Sequence, residues 1–229
     1  GASMAPYNRF PRWILRTFLA ERRGFRKVLK KTSAKTMFMV NAARMPLQAA
    51  AQSLGIKVVE IQSGVFSKYS LQFSWPGSPK VDYLPNEIWT WGEYFTSGID
   101  HASNQTIRVI GSTSEFDQVR ESNPARNTNQ VVFLTQPLVG NDILRVAIEF
   151  ARIKPELKVI VKMHPRNDLV EFEKIIAECG GASSNFVLMQ NERSSLELIA
   201  ESEVAVGAFS TALIEAAGLG TKVAILRLP

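Results

Sequence analysis

The chain has 229 residues, of which 45% are hydrophobic and 21% are charged, an ordinary balance for a globular protein. No apolar run approaches the roughly 20 residues that are needed to span a bilayer, and the single cysteine, Cys179, excludes an internal disulfide and a cysteine-based metal cluster. The length suits one large domain or two small ones, and a reducing, cytoplasmic setting is expected.

The net charge of +6 is distributed unevenly along the chain. Residues 1–36 contain ten Lys or Arg residues and one acid, so they carry +9, whereas residues 37–229 carry −3. The basic character therefore belongs to the N-terminal arm and not to the globular body.

Residues 8–31, within a predicted N-terminal segment 1–35, are expected to form a basic amphipathic helix. Apolar residues recur at helical spacing on one face: Phe10, Ile14, Phe18, Phe25 and Leu29. Basic residues supply the rest of the surface: Arg12, Arg16, Arg22, Arg23, Arg26, Lys27, Lys30 and Lys31. Three interpretations are open, namely contact with an anionic membrane surface, binding to a nucleic-acid backbone, or ordinary packing on the first sheet with a solvated basic rim.

Residues 36–115 alternate short apolar strands with helices, which predicts a first lobe with a parallel sheet. The predicted elements are strands at 36–40, 57–61, 87–91 and 107–110, a helix at 47–54 and a helical start at 92–94. The stretch 64–86, with aromatic residues such as Phe66, is predicted to be a functional or disordered loop that follows the carboxyl end of a strand.

A polar connecting segment is predicted from residue 111 onward, with the linker itself at 116–129, and residues 130–229 restart the strand–helix alternation. Predicted strands lie at 130–134, 158–163, 186–189, 204–206 and 222–226, and predicted helices at 143–153, 169–179, 195–201 and 212–217. The predicted fold class is therefore α/β, with two Rossmann-like lobes, parallel sheets and a cleft between the lobes.

The stretch 203–226 is the most informative part of the second lobe. Gly207 permits a tight turn after a strand, and Ser210 and Thr211 stand where a helix begins. A helix start presents unpaired N–H groups and the positive end of the helix dipole, so it favours an anion such as phosphate. Glu215, one turn later, is placed to accept hydrogen bonds from sugar hydroxyls. The alternative is that Ser210 and Thr211 only cap the helix.

A second anion-binding motif follows the predicted strand 158–163. His164, one of two histidines, precedes Pro165 and Arg166 at the carboxyl end of that strand. Parallel strands end at the same edge of a sheet, so His164 and Arg166 are expected to share one pocket with the helix start described above. The alternative is that His164 caps the neighbouring turn.

Candidate acid–base residues lie in the first lobe. Glu60, at the end of a strand, borders the expected cleft together with Gln62 and Ser63. It is either a general base or an outward-facing strand residue, and Glu93 is the rival base. Metal-binding, P-loop and dinucleotide-binding motifs are absent, so neither a metal nor a redox cofactor is expected.

Three segments of the second lobe resemble the nucleotide-binding half of bacterial GT-B glycosyltransferases that build capsules and lipopolysaccharide. They are Val-Val-Phe-Leu-Thr-Gln-Pro at 131–137, Lys-Met-His-Pro-Arg at 162–166 and the Ser/Thr-containing stretch 207–220. His-Pro after a strand and a Ser/Thr-rich helix start are similar to sialyl-, polysialyl- and Kdo-type transferases. The resemblance implies that His164 contacts the nucleotide phosphate and that Ser210 and Thr211 cradle it, with Glu215 near the ribose.

The first lobe is similar to the acceptor lobe of such proteins at 55–64 and 88–94, although Ser63 stands where many of them have histidine. The resemblance implies transfer of a sugar from a nucleotide-sugar, with a CMP-sugar as a candidate donor, to a glycan or lipid-linked acceptor. The expected location is the cytoplasm, at the inner face of the membrane, with no nucleic acid as partner. The alternatives are a sugar-nucleotide epimerase on the same fold and a non-catalytic or truncated binding module.

Overall fold

The computed structural model describes residues 9–40, 44–65, 67–70, 72–97, 99–111 and 114–228. The chain divides into two compact units, Gly1–Ser112 and Thr113–Pro229. Each unit is an α/β domain built on one parallel sheet.

Unit 1 contains a four-stranded sheet in which every neighbouring pair of strands is parallel. Its elements are α1 (Arg9–Leu29), β1 (Thr36–Met39), α2 (Met45–Gln52), β2 (Lys57–Ile61), β3 (Glu87–Thr90), a short 3-10 helix (Glu93–Phe95) and β4 (Thr106–Val109). The strands lie in the order β1-β2-β3-β4, so the predicted parallel sheet is confirmed.

The long helix α1 is only partly packed on unit 1. Phe18, Phe25 and Leu29 are partly buried, and Leu29 joins a core cluster around Ala51, Ile56 and Val58. The first turns are different, because Trp13 is 63% exposed and Ile14 and Leu15 are also exposed. The predicted apolar face of α1 therefore packs on unit 1 at Phe18, Phe25 and Leu29 but not at Ile14. The side chain of Phe10 lies outside the described part of the structure.

In its described residues, the stretch between β2 and β3 consists of turns and irregular backbone. A second cluster anchors it, formed by Val81, Leu84 and Ala102 with Trp75 against them. Asn104 closes the cluster, since its side chain accepts from the N–H of Val81 at 2.9 Å and donates to the Val81 carbonyl at 3.0 Å. Phe66 lies outside the described residues.

Unit 2 contains a five-stranded parallel sheet with the order β7-β6-β5-β8-β9. Its elements are α3 (Ser114–Ser122), β5 (Asn127–Leu134), α4 (Gly140–Ile153), β6 (Lys158–Lys162), α5 (Leu169–Glu178), β7 (Phe186–Met189), α6 (Ser195–Glu201), β8 (Ser202–Gly207), α7 (Thr211–Gly218) and β9 (Lys222–Ile225). The chain builds outward from β5 to β7, returns to the other side of β5 and then builds outward to β9. This is the arrangement of a doubly wound domain.

Both faces of this sheet are covered. Val159, Val161 and Met163 of β6 and its end pack with residues of α4 and α5 in one cluster. Ile160, from the same strand, packs with residues of α6 and α7 in the other. The strand alternation thus assigns each side chain to one face, and by the same rule Lys162 and His164 belong to the α6–α7 side.

The predicted linker 116–129 needs correction. The helix α3 fills its first half, and β5 already begins at Asn127. Phe116 and Val119, three residues apart in an otherwise polar sequence, bind α3 to α6 through Leu196 and Ala200. This segment is therefore part of unit 2.

Among the helices that the structure describes, none combines the length and the apolar character that crossing a bilayer requires.

Candidate functional site

The carboxyl edge of the unit 2 sheet has a switch point between β5 and β8. The connection after β5 leads to β6 on one side, and the connection after β8 leads to β9 on the other. The two turns therefore diverge and leave a crevice at the strand ends, which is where open α/β sheets bind ligands. The candidate site is built from the turns that follow β5, β6 and β8.

The turn after β8 is tight and leads directly into α7. Gly207 is buried, and a Cβ atom there would lie 3.4 Å from the carbonyl oxygen of Leu134 and 3.3 Å from the side chain of Leu213. Glycine thus lets β8 pass close to its neighbours. Ser210 is the N-cap of α7, and its hydroxyl accepts from the N–H of Ala212 at 3.3 Å. The capping role predicted as the alternative is therefore present.

Capping does not remove the features that attract an anion to this helix start. The first turn of α7 still presents backbone N–H groups and the positive end of the helix dipole. Ser210 and Thr211 are partly buried and Phe209 is exposed, so the turn lies at the protein surface beside the crevice. A phosphate group can approach it from the carboxyl edge.

Backbone and side-chain hydrogen bonds hold His164 at the end of β6. Its N–H donates to the hydroxyl of Thr135 at 2.9 Å and to Oδ1 of Asn167 at 3.2 Å. Its Nδ1 accepts from the N–H of Arg166 at 3.1 Å. In the neutral ring the proton therefore resides on Nε2, so the ring donates through Nε2–H.

The charge state of His164 follows from its surroundings. Burial is the larger cause that lowers the pKa of His164 from 6.5, and the adjacent positive charge of Arg166 lowers it further. The lowered pKa favours the uncharged ring at neutral pH, and this form donates through Nε2–H. The predicted alternative, a contact with the neighbouring turn, is also realised through Nδ1, and the two roles use different nitrogen atoms.

Two residues after β5 connect the turns after β6 and β8. Thr135 accepts from His164, and its hydroxyl also lies 2.7 Å from Oδ1 of Asn167. Gln136 accepts the N–H of Phe209 at 3.0 Å through its Oε1. Thr135 and Gln136 are both buried. The shared edge predicted for His164 and Ser210 is thus formed, with the end of β5 between them.

Asn167 and its fit to the start of α4 were not predicted from the sequence. A Cβ atom on Gly140 would lie only 2.7 Å from Nδ2 of Asn167. Glycine at the first residue of α4 therefore leaves room for the asparagine that supports His164. The available signal was Asn167 itself, a short polar residue directly after His-Pro-Arg that favours turns.

Lys162 is a second missed residue, a buried lysine two positions before His164. Its ammonium group donates to the carbonyl oxygen of Gln190, in the turn after β7. Burial lowers the pKa of Lys162, and the negative charge of Glu192 opposes this effect. A charged residue at the end of a buried strand was the signal in the sequence.

Arg166 and Glu215 lie on either side of this arrangement. Arg166 is exposed, so its guanidinium is accessible at the same edge. Glu215 is partly buried in the second turn of α7, where burial raises the pKa of its carboxyl group and the neighbouring Glu115 raises it further. Glu215 is therefore easier to protonate than an ordinary glutamate.

The predicted residues of unit 1 lie at or near the carboxyl edge of their own sheet. Gln62 is buried and accepts the N–H of Trp91 at 2.8 Å, and Ser63 donates to the carbonyl of Val40 at 3.0 Å. Both side chains thus hold strand ends together. Glu60 is only 1% exposed, which excludes the outward-facing alternative, whereas Glu93 is exposed at the start of the 3-10 helix.

Within the described residues, no group of three or more His, Cys, Asp or Glu side chains has the arrangement of a metal site.

A family model described as alpha-2,8-polysialyltransferase matches residues 68–226. The chain belongs to this family. The match contains Glu93 and every candidate residue of unit 2, whereas α1, Glu60, Gln62 and Ser63 lie before it. Family membership therefore covers the β5–β8 edge and confirms the resemblance to surface-polysaccharide transferases. No curated protein matches the sequence significantly.

Solved structures agree with the fold of this family member. The UDP-GlcNAc 2-epimerase from Neisseria meningitidis is 16% identical, with a TM-score of 0.54, and the match covers 92% of this chain and 64% of that one. MnaA from S. aureus is 11% identical with a TM-score of 0.58, over 93% and 64% of the two chains. MurG from Acinetobacter baumannii is 15% identical with a TM-score of 0.52, over 96% and 59%.

These identities are low, so the likeness shows the GT-B-like α/β fold class alone. The chain spans about three-fifths of the length of the structures that it matches.

Proposed function

We propose that the protein is a glycosyltransferase of bacterial surface polysaccharide synthesis that transfers a sugar from a nucleotide-sugar to a glycan or lipid-linked acceptor. The family description, alpha-2,8-polysialyltransferase, favours a CMP-activated sialic acid or a related acidic sugar as the donor. The observation that carries the proposal is the hydrogen-bonded junction of Thr135 and Gln136, which unites the His164 turn with the α7 start within the matched region.

The donor phosphate is proposed to bind between His164 and the start of α7. The Nε2–H group of His164 donates to a phosphate oxygen, and backbone N–H groups near Ser210 and Thr211 stabilise the same group. As the bond from the sugar to the nucleotide breaks, negative charge grows on the departing phosphate. Donors that are already oriented lower the energy of that state without reorganisation. Arg166 supplies a full positive charge at the exposed rim, and Glu215 accepts from a ribose hydroxyl.

The acceptor hydroxyl requires a general base, which we assign to Glu93 in preference to Glu60. Glu93 is exposed at the end of β3 and lies within the family match, whereas Glu60 is enclosed in β2. A carboxylate that takes up a proton from a sugar hydroxyl has to reach it directly or through one water. Gln62 and Ser63 support this edge through their contacts with the backbone.

No step of this scheme needs a metal ion, because protein donors and the helix start carry the phosphate charge. We also propose that the enzyme acts in the cytoplasm at the inner face of the membrane, where α1 contacts the anionic surface. The exposed apolar turns at the beginning of α1 and its many basic residues are the basis for this location.

The direct test is incubation with CMP-sialic acid and an α2,8-linked oligosialic acid, followed by analysis of chain length and of released CMP. We expect elongation by the parent protein and by His101→Ala, a control in unit 1, and its loss in His164→Ala. Absence of both elongation and CMP release from the parent protein, while other sugar nucleotides are consumed, would refute the donor assignment.

An epimerase is the second candidate, because one of the solved structures above that share this fold is a UDP-GlcNAc 2-epimerase. Such an enzyme converts a UDP-sugar without any acceptor. Conversion of UDP-GlcNAc alone into its 2-epimer, together with no transfer to an acceptor, would favour the epimerase.

A further inference from the structure

A basic cleft lies between α1 and α2 in unit 1. It encloses about 310 Å³ and is lined by Leu19, Arg22, Arg23, Arg26 and Ser53. Three of its five lining residues are thus arginines from less than two turns of one helix. A site of this composition selects for an anion.

The described residues do not neutralise the positive charge of the cleft. Within the described residues, no carboxylate lies at salt-bridge distance from Arg22, Arg23 or Arg26. The Nε atom of Arg22 is buried without a hydrogen-bond partner among those residues. A buried N–H group without a partner gains free energy from an acceptor that enters the cleft.

The negative end of the α2 dipole offsets only a small part of this positive charge. Ser53 is the C-cap of α2, so the negative end of the α2 dipole faces the cleft. That end is equivalent to about half an elementary charge, against three arginine charges. A net positive charge of more than two therefore remains for a ligand.

The apolar surface beside the cleft identifies the kind of ligand. Leu15 is exposed one turn before Leu19, on the same face of α1, and Leu19 lines the cleft and is itself exposed. Exposed leucine side chains next to arginines match the boundary between lipid headgroups and acyl chains. A soluble anion offers no partner for this apolar surface.

We propose that the cleft between α1 and α2 is a binding site for the phosphate of an anionic phospholipid headgroup, with the exposed guanidinium groups of Arg23 and Arg26 as its hydrogen-bond donors. The inference rests on the proposed membrane contact of α1 and makes it specific. The phosphate enters the cleft while Leu15 and Leu19 lie in the interface. The guanidinium groups hold two phosphate oxygens each, which an ammonium group does not do.

Vesicle co-sedimentation tests the site with charge-preserving variants. The vesicles contain phosphatidylcholine alone or phosphatidylcholine mixed with phosphatidylglycerol. The double variant Arg23→Lys, Arg26→Lys keeps the net charge but removes both guanidinium groups. The double variant Arg12→Lys, Arg16→Lys is the matched control outside the cleft. We expect the first pair to bind the anionic vesicles about tenfold or more weaker than the parent protein. The control pair should bind as the parent does.

The possible outcomes separate the failure of the cleft from the failure of membrane binding. If both double variants bind the anionic vesicles like the parent, attraction is diffuse and the cleft is not a site. If the parent prefers neither vesicle type, the membrane contact is also wrong. Competition by glycerol phosphate at millimolar concentration, or by soluble oligosialic acid without any vesicle binding, would assign the cleft to a soluble anion and overturn the lipid assignment.

Discussion

Replacing Thr135 with valine tests whether the end of β5 positions His164. The side chain is 4% exposed, and valine keeps its shape while removing the hydroxyl. The N–H of His164 then loses its 2.9 Å acceptor, and Asn167 loses a 2.7 Å partner. Each of these groups retains the other at 3.2 Å, so neither is left wholly without a hydrogen bond.

The expected loss of stability is therefore at the low end for buried polar groups, about 1–2 kcal/mol. This corresponds to a decrease of a few degrees in the melting temperature. The functional effect is separate, because a loosened turn no longer holds the Nε2–H group of His164 on the phosphate. A hydrogen bond to a charged group contributes about 1.5–3 kcal/mol, so nucleotide binding should weaken roughly tenfold or more.

Thr221 provides a matched control in the same unit. It is 3% exposed, and its hydroxyl donates to the carbonyl of Ile199 at 2.8 Å, away from the candidate site. Thr221→Val should lower the melting temperature similarly and leave nucleotide affinity unchanged. Circular dichroism gives the melting temperatures and isothermal titration calorimetry gives the affinities. Equal affinities of the two variants for the nucleotide, at equal loss of stability, would refute the positioning role of Thr135.

Three further predictions concern the charge, packing and chemistry of the two edges. In an NMR titration, the pKa of His164 should lie below 6.5, and it should rise in Arg166→Gln. The folded protein binds this proton less readily than the unfolded chain does. The contribution of His164 to the free energy of unfolding should therefore be complete above pH 6.5 and decrease as the pH falls below it. Gly140→Ala should destabilise unit 2 by about 1–3 kcal/mol in thermal unfolding because its Cβ displaces the asparagine that supports His164, whereas Gly24→Ala, with open space around it, should not destabilise α1. Glu93→Gln should lower the transfer rate by about 10²–10⁴-fold without weakening nucleotide binding, and a rate like that of the parent protein would reject Glu93 as the base.

Local sequence patterns were sufficient for most of the fold. The strands Lys158–Lys162 and Ser202–Gly207 are short, apolar and β-branched, and a helix start follows each of them, so their place in a parallel sheet was predictable. The helix α3 was missed because its sequence is mostly polar, with Phe116 and Val119 as the apolar residues that pack against α6. Its helical state depends on that tertiary contact, which local composition does not report.

Some residues of the candidate site were likewise predictable from the sequence and others were not. His164 and Ser210 were predictable because a strand end and a helix start identify the edge on which they lie. Thr135 and Asn167 were not assigned roles, since their hydrogen bond joins residues 32 positions apart and depends on the register between β5 and β6. The burial of Glu60 could not be predicted from the sequence either, because an acidic residue in a short strand can lie on the buried or on the solvent-exposed face of a sheet.

The central claim is that the edge formed by His164 and the start of α7 binds the phosphate of a sugar nucleotide. A thermal-shift titration with CMP, CDP, UDP and GDP, performed on the parent protein, His164→Ala and His101→Ala, tests it most directly. At 100 times its dissociation constant, a ligand that binds only the folded state adds about 2.7 kcal/mol of stability. We expect a clear increase in melting temperature with CMP for the parent and His101→Ala, and its loss in His164→Ala. An equal increase for all three proteins, or none with any nucleotide, would contradict it.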